Sequence, residues 1–563
     1  MSAALPNLLI VGAPRAGTTW LWSMLSRFDA VYAPRVKEPH FHLADCWSLG
    51  GPEREAFTEP LAEFLAGRRK SVWGGLMNSA ADYHALYEPG LDAAWRLEAT
   101  PNYFAEGRWM ADRLAERLDP TTRIVVALRD PVARAASHYR LFRHHGWETL
   151  AFAQALAAGP LRVKQGWAPT WDYLRYSQIA RPLTEWREVF GERLTTVTDT
   201  EIGFRPIETL ARLGQWLGLS CAPPPPGKPE NAAPPDPNLL PHEAEAVVAA
   251  SEGLDLGLER AALASSVTIP PPLVSIGMPV LDGAATIRRA LASLTAQTYS
   301  ELEIVVCDNA STDSTVAIAR ELADRDSRIS IRQFQQRADI QGSFRRALAS
   351  RRGEYFLFAP ADDSWAPGFI ESAVRTMARR PEVAVCCGEI LMIGPDGQRS
   401  PSPGTRPITG HPRQRWTRAL MHSADASRLY GLLRATATAG IIPDRAPEGW
   451  DHYSAAKLAF AGEVARIPME AMYRGRPPEG HYSRLIQLQE PFFWGRVFFA
   501  RHITDLFRDD PGIRIYRLKE KSALLSFTLS MAVERLQEPR CAPLRWSARR
   551  AAQAFCLLSR VAP

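Results

Sequence analysis

A short apolar run that leads directly into a turn of small residues is the feature that most limits how this chain can fold. Residues 8–11, Leu-Leu-Ile-Val, predict a buried strand, and residues 20–25 show a helical pattern. The turn between them, Gly12 to Gly17, therefore places backbone N–H groups and a positive helix end around an anion. Thr18 stands where a magnesium-nucleotide loop carries lysine, so Arg15 is the cation of the turn. The pattern predicts an anion site poorly suited to metal-assisted cleavage of a triphosphate.

A second strand-to-helix junction accompanies the first. Residues 123–128 predict a strand, followed by Arg129-Asp-Pro131 and a helix that carries Ser137. The two junctions together resemble those of sulfotransferases that use 3′-phosphoadenosine 5′-phosphosulfate (PAPS) as donor. The resemblance implies that the donor is bound by Arg15, Ala16, Gly17, Thr18, Thr19, Trp20, Arg129 and Ser137. A plain strand-to-helix turn and a phosphate-loop kinase are the two alternatives, and the missing lysine disfavours the kinase.

The stretch Lys37-Glu38-Pro-His40-Phe-His resembles a segment of the sulfotransferases that act on carbohydrate chains. That resemblance implies that Glu38 is the general base which removes the acceptor's hydroxyl proton, with His40 in the catalytic set and Lys37 in support. The alternative is that Glu38 is a solvated carboxylate paired with Lys37. Ala99 stands where the related enzymes carry lysine, so Arg15 is the expected catalytic cation.

The second half of the chain begins after a break. Prolines are dense between residues 221 and 237 and recur at 270–272, and an apolar strand pattern restarts at residues 273–280. A predicted helix at 287–296 and a strand at 303–307 follow. Alternating strands and helices predict a mostly parallel sheet with ligands at the carboxyl ends of its strands.

Residues 279–315 resemble the start of the family 2 glycosyltransferases, which use nucleotide-diphosphosugar donors. The resemblance implies that Pro279 and Asp308 lie at the donor nucleotide. Asp282 stands where the family usually has asparagine. Residues 473–483 are similar to the closing loop of that family.

A strand at residues 355–358 ends in a pair of acids, Asp362 and Asp363. Carboxylates are suitable ligands for Mn²⁺ or Mg²⁺, which would neutralise a leaving diphosphate. The family's first acid is replaced by Pro360. The two remaining carboxylates are still predicted to bind the metal, and Asp362 is also predicted to contact the donor. The alternative is that the pair forms a turn or a helix cap. Residues 449–453 resemble the acceptor side of the same family, which implies that Asp451 is the general base of this half; its alternative role is the N-cap of a helix at 453–460.

Composition limits the remaining possibilities. A formal net charge of +6 over 563 residues gives no reason to expect nucleic acid as a partner. Seven cysteines without C-x-x-C spacing predict a reducing compartment, and no signal peptide or membrane-spanning run is evident. We therefore expect a cytoplasmic protein. Aromatic and basic residues near the C-terminus predict helices that either cover the neighbouring domain or lie on the inner face of a membrane.

The sequence as a whole predicts a two-domain α/β enzyme. The expected parts are a P-loop-like parallel-sheet sulfotransferase domain at 1–264, a proline-rich linker at 265–272, a Rossmann-like glycosyltransferase domain at 273–490 and a helical tail at 491–563. The predicted acceptor is a glycan or glycolipid that receives both a sulfuryl group and a sugar. The alternative is a sulfotransferase whose second domain only binds glycan.

Overall fold

The computed structural model describes residues 4–47, 51, 54–70, 72–219, 241–249, 251, 254–394, 396–421, 426–443 and 450–475. The chain divides into two compact units, Met1–Pro271 and Pro272–Pro563. The predicted tail, most of the closing loop and the first proline-rich run lie outside the described residues. Within the described part, no helix has both the length and the apolar character needed to cross a membrane.

The first unit is built on parallel strands. Its strands are β1 (Leu8–Ile10), β2 (Val31–Tyr32), β3 (Val36–Lys37), β4 (Val72–Trp73), β5 (Trp95–Ala99), β6 (Arg123–Leu128) and β7 (Leu194–Thr198). Its α-helices are α1 (Thr18–Leu25), α2 (Arg54–Leu65), α3 (Ala80–Tyr87), α4 (Gly107–Arg117), α5 (Pro131–His144), α6 (Phe152–Lys164), α7 (Ala180–Phe190), α8 (Asp199–Phe204), α9 (Pro206–Trp216), α10 (Pro241–Ala249) and α11 (Leu256–Ala264). The main sheet has the order β2-β5-β1-β6-β7, and β3 pairs with β4 separately.

Both faces of this sheet are covered, because the apolar side chains of its central strands point alternately to one face and to the other. Leu8 and Ile10 of β1 pack with Leu21 of α1 on one face, whereas Leu9 and Val11 pack with Leu114 of α4 on the other. Successive side chains of a strand point to opposite faces, so a continuous apolar run is expected of a strand buried on both sides. This packing holds the carboxyl ends of β1 and β6 next to each other.

The second unit contains a larger, mixed sheet. Its strands are β8 (Val274–Val280), β9 (Leu302–Asp308), β10 (Ile329–Gln333), β11 (Tyr355–Phe358), β12 (Ser364–Trp365), β13 (Val383–Ile393), β14 (Arg399–Pro401), β15 (Leu432–Arg434) and β16 (Glu463–Gly475). Its α-helices are α12 (Ile287–Thr295), α13 (Thr315–Ala323), α14 (Ile340–Ala349), α15 (Phe369–Arg379), α16 (Pro412–Met421) and α17 (Trp450–Ala461). The order is β10-β9-β8-β11-β15-β13-β16-β12, with β14 on β13.

The first four strands of that order are parallel, and β15 joins β11 in antiparallel orientation. Pro279 sits inside β8 without breaking the sheet. The pairing of β11 with β8 ends at Gly277, so the missing N–H of Pro279 removes no bond to β11. The predicted α/β class is confirmed for both units, and the carboxyl ends of β8, β9 and β11 lie along one edge.

Candidate functional site

The turn after β1 is anchored to β6 by its backbone. Val11 N–H donates to the Val125 carbonyl at 3.0 Å, and Ala13 N–H donates to the Ala127 carbonyl at 2.9 Å. A Cβ on Gly12 would lie 2.0 Å from the Ala127 nitrogen, so only glycine fits. Gly17 has φ of 91° at the N-cap of α1, and no side chain of the described residues caps the helix there. The first-turn N–H groups are therefore available to an anion.

The structure brings together three residues from distant segments that are predicted to bind the sulfuryl donor. Arg15 donates from Nε to Oγ of Ser137 at 3.3 Å, and Arg129 donates from Nη1 to the Arg15 carbonyl at 2.9 Å. Asp199 lies 3.5 Å from Nε of Arg129. Burial and the nearby Arg129 lower the pKa of Arg15 to about 10, so Arg15 stays protonated at neutral pH. The cluster has the positive charge and the hydrogen-bond donors that a phosphate group requires.

The other predicted loop residues occupy different environments. Ala16 and Thr18 are buried, and Thr19 is half-buried. Trp20 is 4% exposed and packs in the core beneath the sheet, and its indole nitrogen has no hydrogen-bond partner within the described part of the chain. The Trp20 side chain is therefore part of the core of the first unit.

Glu38 follows β3 and is held in an uncommon backbone conformation. Its φ is 62°, its N–H donates to the Ala99 carbonyl at 3.1 Å, and its carboxylate contacts the ammonium of Lys37. Burial raises the pKa of Glu38, but the charges of Lys37, His40 and Arg15 outweigh burial and hold it below its usual value. Glu38 is therefore ionised at neutral pH, as a general base must be. The structure also contains the ion pair with Lys37 that the alternative interpretation of Glu38 expects.

His40 is fixed on both sides of its ring. Nδ1 lies 2.7 Å from the Gly75 carbonyl, which can only accept, so Nδ1 carries a proton. Nε2 lies 3.0 Å from Oδ1 of Asn102, whose amide nitrogen has no hydrogen-bond partner among the described residues. Asn102 is a site neighbour that no motif in the sequence singled out.

Several residues of the candidate sites have a strained backbone conformation. Among the described residues, positive φ values outside glycine occur at Arg15, Glu38, His40, Asp282 and Ala310. Such conformations cost free energy and tend to persist at functional sites, where surrounding contacts hold them. The first three belong to the predicted sulfuryl-transfer site, and the last two lie at the edge of the second unit where the donor nucleotide is predicted to bind.

At that edge, Asp308 ends β9 and is fully buried. The N–H of Ser311 donates to the Asp308 carboxylate at 3.3 Å, and the N–H of Asn309 donates to the Val280 carbonyl at 2.8 Å. Asp282 has φ of 50°, a region that both asparagine and aspartate tolerate, and it accepts from the N–H of Thr312 at 2.8 Å. The departure from asparagine at position 282 therefore leaves the loop conformation intact.

The two acids after β11 have different surroundings. Asp362 is exposed, and its carbonyl accepts from Arg289 at 2.7 Å. Asp363 is 1% exposed, and Nε of Arg474 on β16 lies 3.7 Å from its Oδ2, which has no hydrogen-bond partner within the described residues. Burial raises the pKa of Asp363 to about 8, although Arg474 opposes the shift. No group of three or more His, Cys, Asp or Glu side chains converges in the described part of the chain.

Asp451 lies in the first turn of α17, which begins at Trp450, so the helix starts earlier than residue 453 and Asp451 is not its N-cap. The ring of Phe344 packs 5.2 Å from the rings of both Trp450 and Phe358. The start of α17 therefore lies near the end of β11, where the acid pair begins. Arg289 and Arg474, which contact that pair, had no distinguishing pattern in the sequence beyond the closing-loop likeness of Arg474.

Each half of the chain matches the model of a known family. Residues 6–223 match the model of the Sulfotransferase family, and residues 275–431 match Glycosyl transferase family 2. The chain is 30% identical over 182 residues to the O-antigen biosynthesis protein RfbC of Myxococcus xanthus, covering 32% of this chain and 14% of RfbC. It is 30% identical over 116 residues to the putative glycosyltransferase EpsH of Bacillus subtilis, covering 20% of this chain and 33% of EpsH. The chain thus spans well under half of either relative.

Two solved structures are also similar. A sulfotransferase from Alicyclobacillus acidocaldarius is 24% identical, with a TM-score of 0.38 and coverage of 46% of this chain and 95% of that one. S. aureus TarS 1–349 in complex with UDP is 20% identical, with a TM-score of 0.31 and coverage of 51% and 88%.

Proposed function

Because this transferase joins a sulfotransferase-family half to a family 2 glycosyltransferase half, we propose that it adds both a sulfuryl group and a sugar to a glycan. In the first unit the donor is PAPS and the acceptor is a sugar hydroxyl. The observation that supports this reaction best is the convergence of Arg15, Arg129 and Ser137 beside the strained, ionised Glu38.

The proposed sulfuryl transfer uses each of these groups in one step. Glu38 accepts the acceptor's hydroxyl proton while the new oxygen–sulfur bond forms. The bond between sulfur and the donor's phosphate oxygen breaks, and the charge left on the phosphate is stabilised by Arg15 and the N–H groups that open α1. Arg129 and Ser137 hold the donor's 3′-phosphate. His40, with both ring nitrogens in hydrogen bonds, positions the Glu38 segment.

Calorimetry and sulfuryl-transfer assays test this proposal. We expect the protein to bind 3′-phosphoadenosine 5′-phosphate (PAP) more tightly than ATP. Glu38→Gln should reduce transfer from PAPS about 100-fold or more, the size of a general-base contribution, with little change in PAP affinity. Glu116→Gln, an exposed change on α4, is the matched control. Preference for ATP, or full activity of Glu38→Gln, would refute the assignment.

In the second unit we propose inverting transfer of a sugar from a nucleotide-diphosphosugar, with Asp308 and Pro279 at the nucleotide and Asp451 as base. Asp362 and Asp363 fit a hard divalent cation, because one carboxylate is exposed and the other has a buried oxygen that accepts no hydrogen bond from any described residue. When bound, Mn²⁺ or Mg²⁺ would offset the charge of the leaving diphosphate. Arg474 provides a fixed positive charge at the same pair.

The absence of an acid at position 360 supports a second candidate, in which this unit only binds glycan. Hydrolysis of a nucleotide sugar that depends on Mn²⁺ and is lost in Asp362→Ala would exclude that candidate. Calorimetric titration with Mn²⁺ in the presence of UDP reports on metal binding at Asp362 and Asp363 even if turnover is slow. Hydrolysis that persists in Asp362→Ala would refute the metal assignment.

The two activities are proposed to act on one polysaccharide under construction, because they are linked covalently and one relative is an O-antigen biosynthesis protein. Incubation with both donors and an acceptor should give a product that carries both groups. A product with only one modification would contradict the coupling.

A further inference from the structure

We propose that Lys37 is a positioning residue for sulfuryl transfer, whose buried ammonium holds the Glu38 carboxylate in place and in its ionised form. This inference rests on the proposed sulfotransferase function of the first unit. It assigns to Lys37 a task in the reaction that is separate from donor binding.

The contact between Lys37 and Glu38 depends on an unusual backbone. Neighbouring side chains of an extended strand point to opposite sides, so adjacent residues do not normally form an ion pair. The φ of 62° at Glu38 turns its side chain back toward the ammonium. Backbone bonds maintain this turn, since Gly74 and Gly75 donate to the carbonyls of Lys37 and Glu38 at 2.8 and 3.1 Å. The fold therefore sustains a strained conformation that creates this pair.

The two side chains of this ion pair differ in their exposure to solvent. The Lys37 side chain is 1% exposed, whereas that of Glu38 is 27% exposed. A positive charge next to a carboxylate favours its ionised form, so the buried ammonium of Lys37 opposes protonation of Glu38. The other charged groups that act on Glu38 are His40 and Arg15, and both favour its ionised form. A proton taken from the acceptor can leave to water through the exposed side of Glu38.

Three variants test the assignment: Lys37→Met, Lys37→Arg and, as an exposed control, Lys164→Met. PAP affinity is measured by calorimetry, and kcat/KM is measured from about pH 4 to 9 for transfer from PAPS to a panel of 4-nitrophenyl glycosides, because the pKa of Glu38 lies below its usual value. In Lys37→Met we expect PAP affinity within about threefold of wild type and kcat/KM at pH 6 reduced about 10- to 100-fold, the loss of one charge-assisted hydrogen bond. The acidic limb of the profile should move to higher pH, because Glu38 loses the ammonium that favours its ionised form. Lys37→Arg should restore the wild-type profile.

A double variant separates this role from mere folding support. If Lys37 acts through Glu38, Lys37→Met combined with Glu38→Gln should be no slower than Glu38→Gln alone. Additive losses, an unmoved acidic limb in Lys37→Met, or failure of Lys37→Arg to restore the profile would overturn the inference. Absence of PAP binding and transfer in the wild-type protein would instead refute the proposed function, so the two failures are distinguishable.

Discussion

Replacement of Arg129 by alanine tests whether this residue recognises the donor's 3′-phosphate or only supports the loop. Its guanidinium has two neighbours that allow either role: Nη1 donates to the Arg15 carbonyl at 2.9 Å, and Asp199 lies 3.5 Å from Nε. PAP carries a 3′-phosphate that AMP lacks. The ratio of their affinities therefore isolates the contribution of the 3′-phosphate from that of the loop.

The expected magnitude follows from the type of contact and its exposure. A hydrogen bond to a charged group contributes about 1.5–3 kcal/mol. The Arg129 side chain is 27% exposed, so solvent screening favours the lower end of that range. Removal of the guanidinium also leaves Asp199 beside the incoming phosphate. We therefore expect Arg129→Ala to weaken PAP binding about 10- to 30-fold, at about 1.4 kcal/mol per factor of ten.

Calorimetric titration with PAP and AMP at one fixed ionic strength provides the measurement. AMP affinity should change by less than about threefold, and the control Arg108→Ala, an exposed arginine on α4 that pairs with Asp112, should leave both affinities unchanged. Equal weakening of PAP and AMP would refute the reasoning. It would mean that Arg129 acts through the Arg15 carbonyl and not on the 3′-phosphate.

Three further changes probe the fold and both sites. Gly12→Ala should lower the free energy of unfolding of the first unit by about 3 kcal/mol in denaturant titrations, because its Cβ would overlap the Ala127 backbone; a change near zero would contradict this packing. Asp308→Asn should weaken binding of the nucleoside diphosphate that the wild-type protein prefers about tenfold by calorimetry while leaving PAP binding unchanged, and unaltered affinity for that nucleotide would exclude the nucleotide role. Burial raises the pKa of Glu98 above its usual 4.5 despite hydrogen bonds from Tyr83 and other hydroxyl groups. Its contribution thus stabilises the fold fully below pH 4.5 and is lost as pH rises through the raised pKa. Glu98→Gln should therefore gain stability relative to wild type as the pH rises above about 4.5 in urea titrations, and a difference that stays constant with pH would contradict a raised pKa of Glu98.

Local pattern determined much of this protein. The strand, turn and helix around Gly12–Thr18 could be predicted from apolar runs and small residues, because those elements depend on hydrogen bonds and periodicity within a few residues. The same holds for the strands that end at Leu128 and Asp308. Arg15 is identified as the cation of the turn, whereas Arg129 and Asp308 become candidates through the resemblance of their segments to the two transferase families.

Tertiary packing decided how the candidates meet. Arg15 reaches Ser137 only because β1 and β6 are neighbours in the sheet, which no local pattern encodes. Asp362 and Asp363 are adjacent in sequence, yet one is exposed and the other is buried beside β16. The left-handed backbone that turns Glu38 onto Lys37 is likewise held by bonds to residues 75 and 99. Contacts between distant segments determine these features. Only those contacts bring the candidate residues together and fix the charges and the exposure of each side chain.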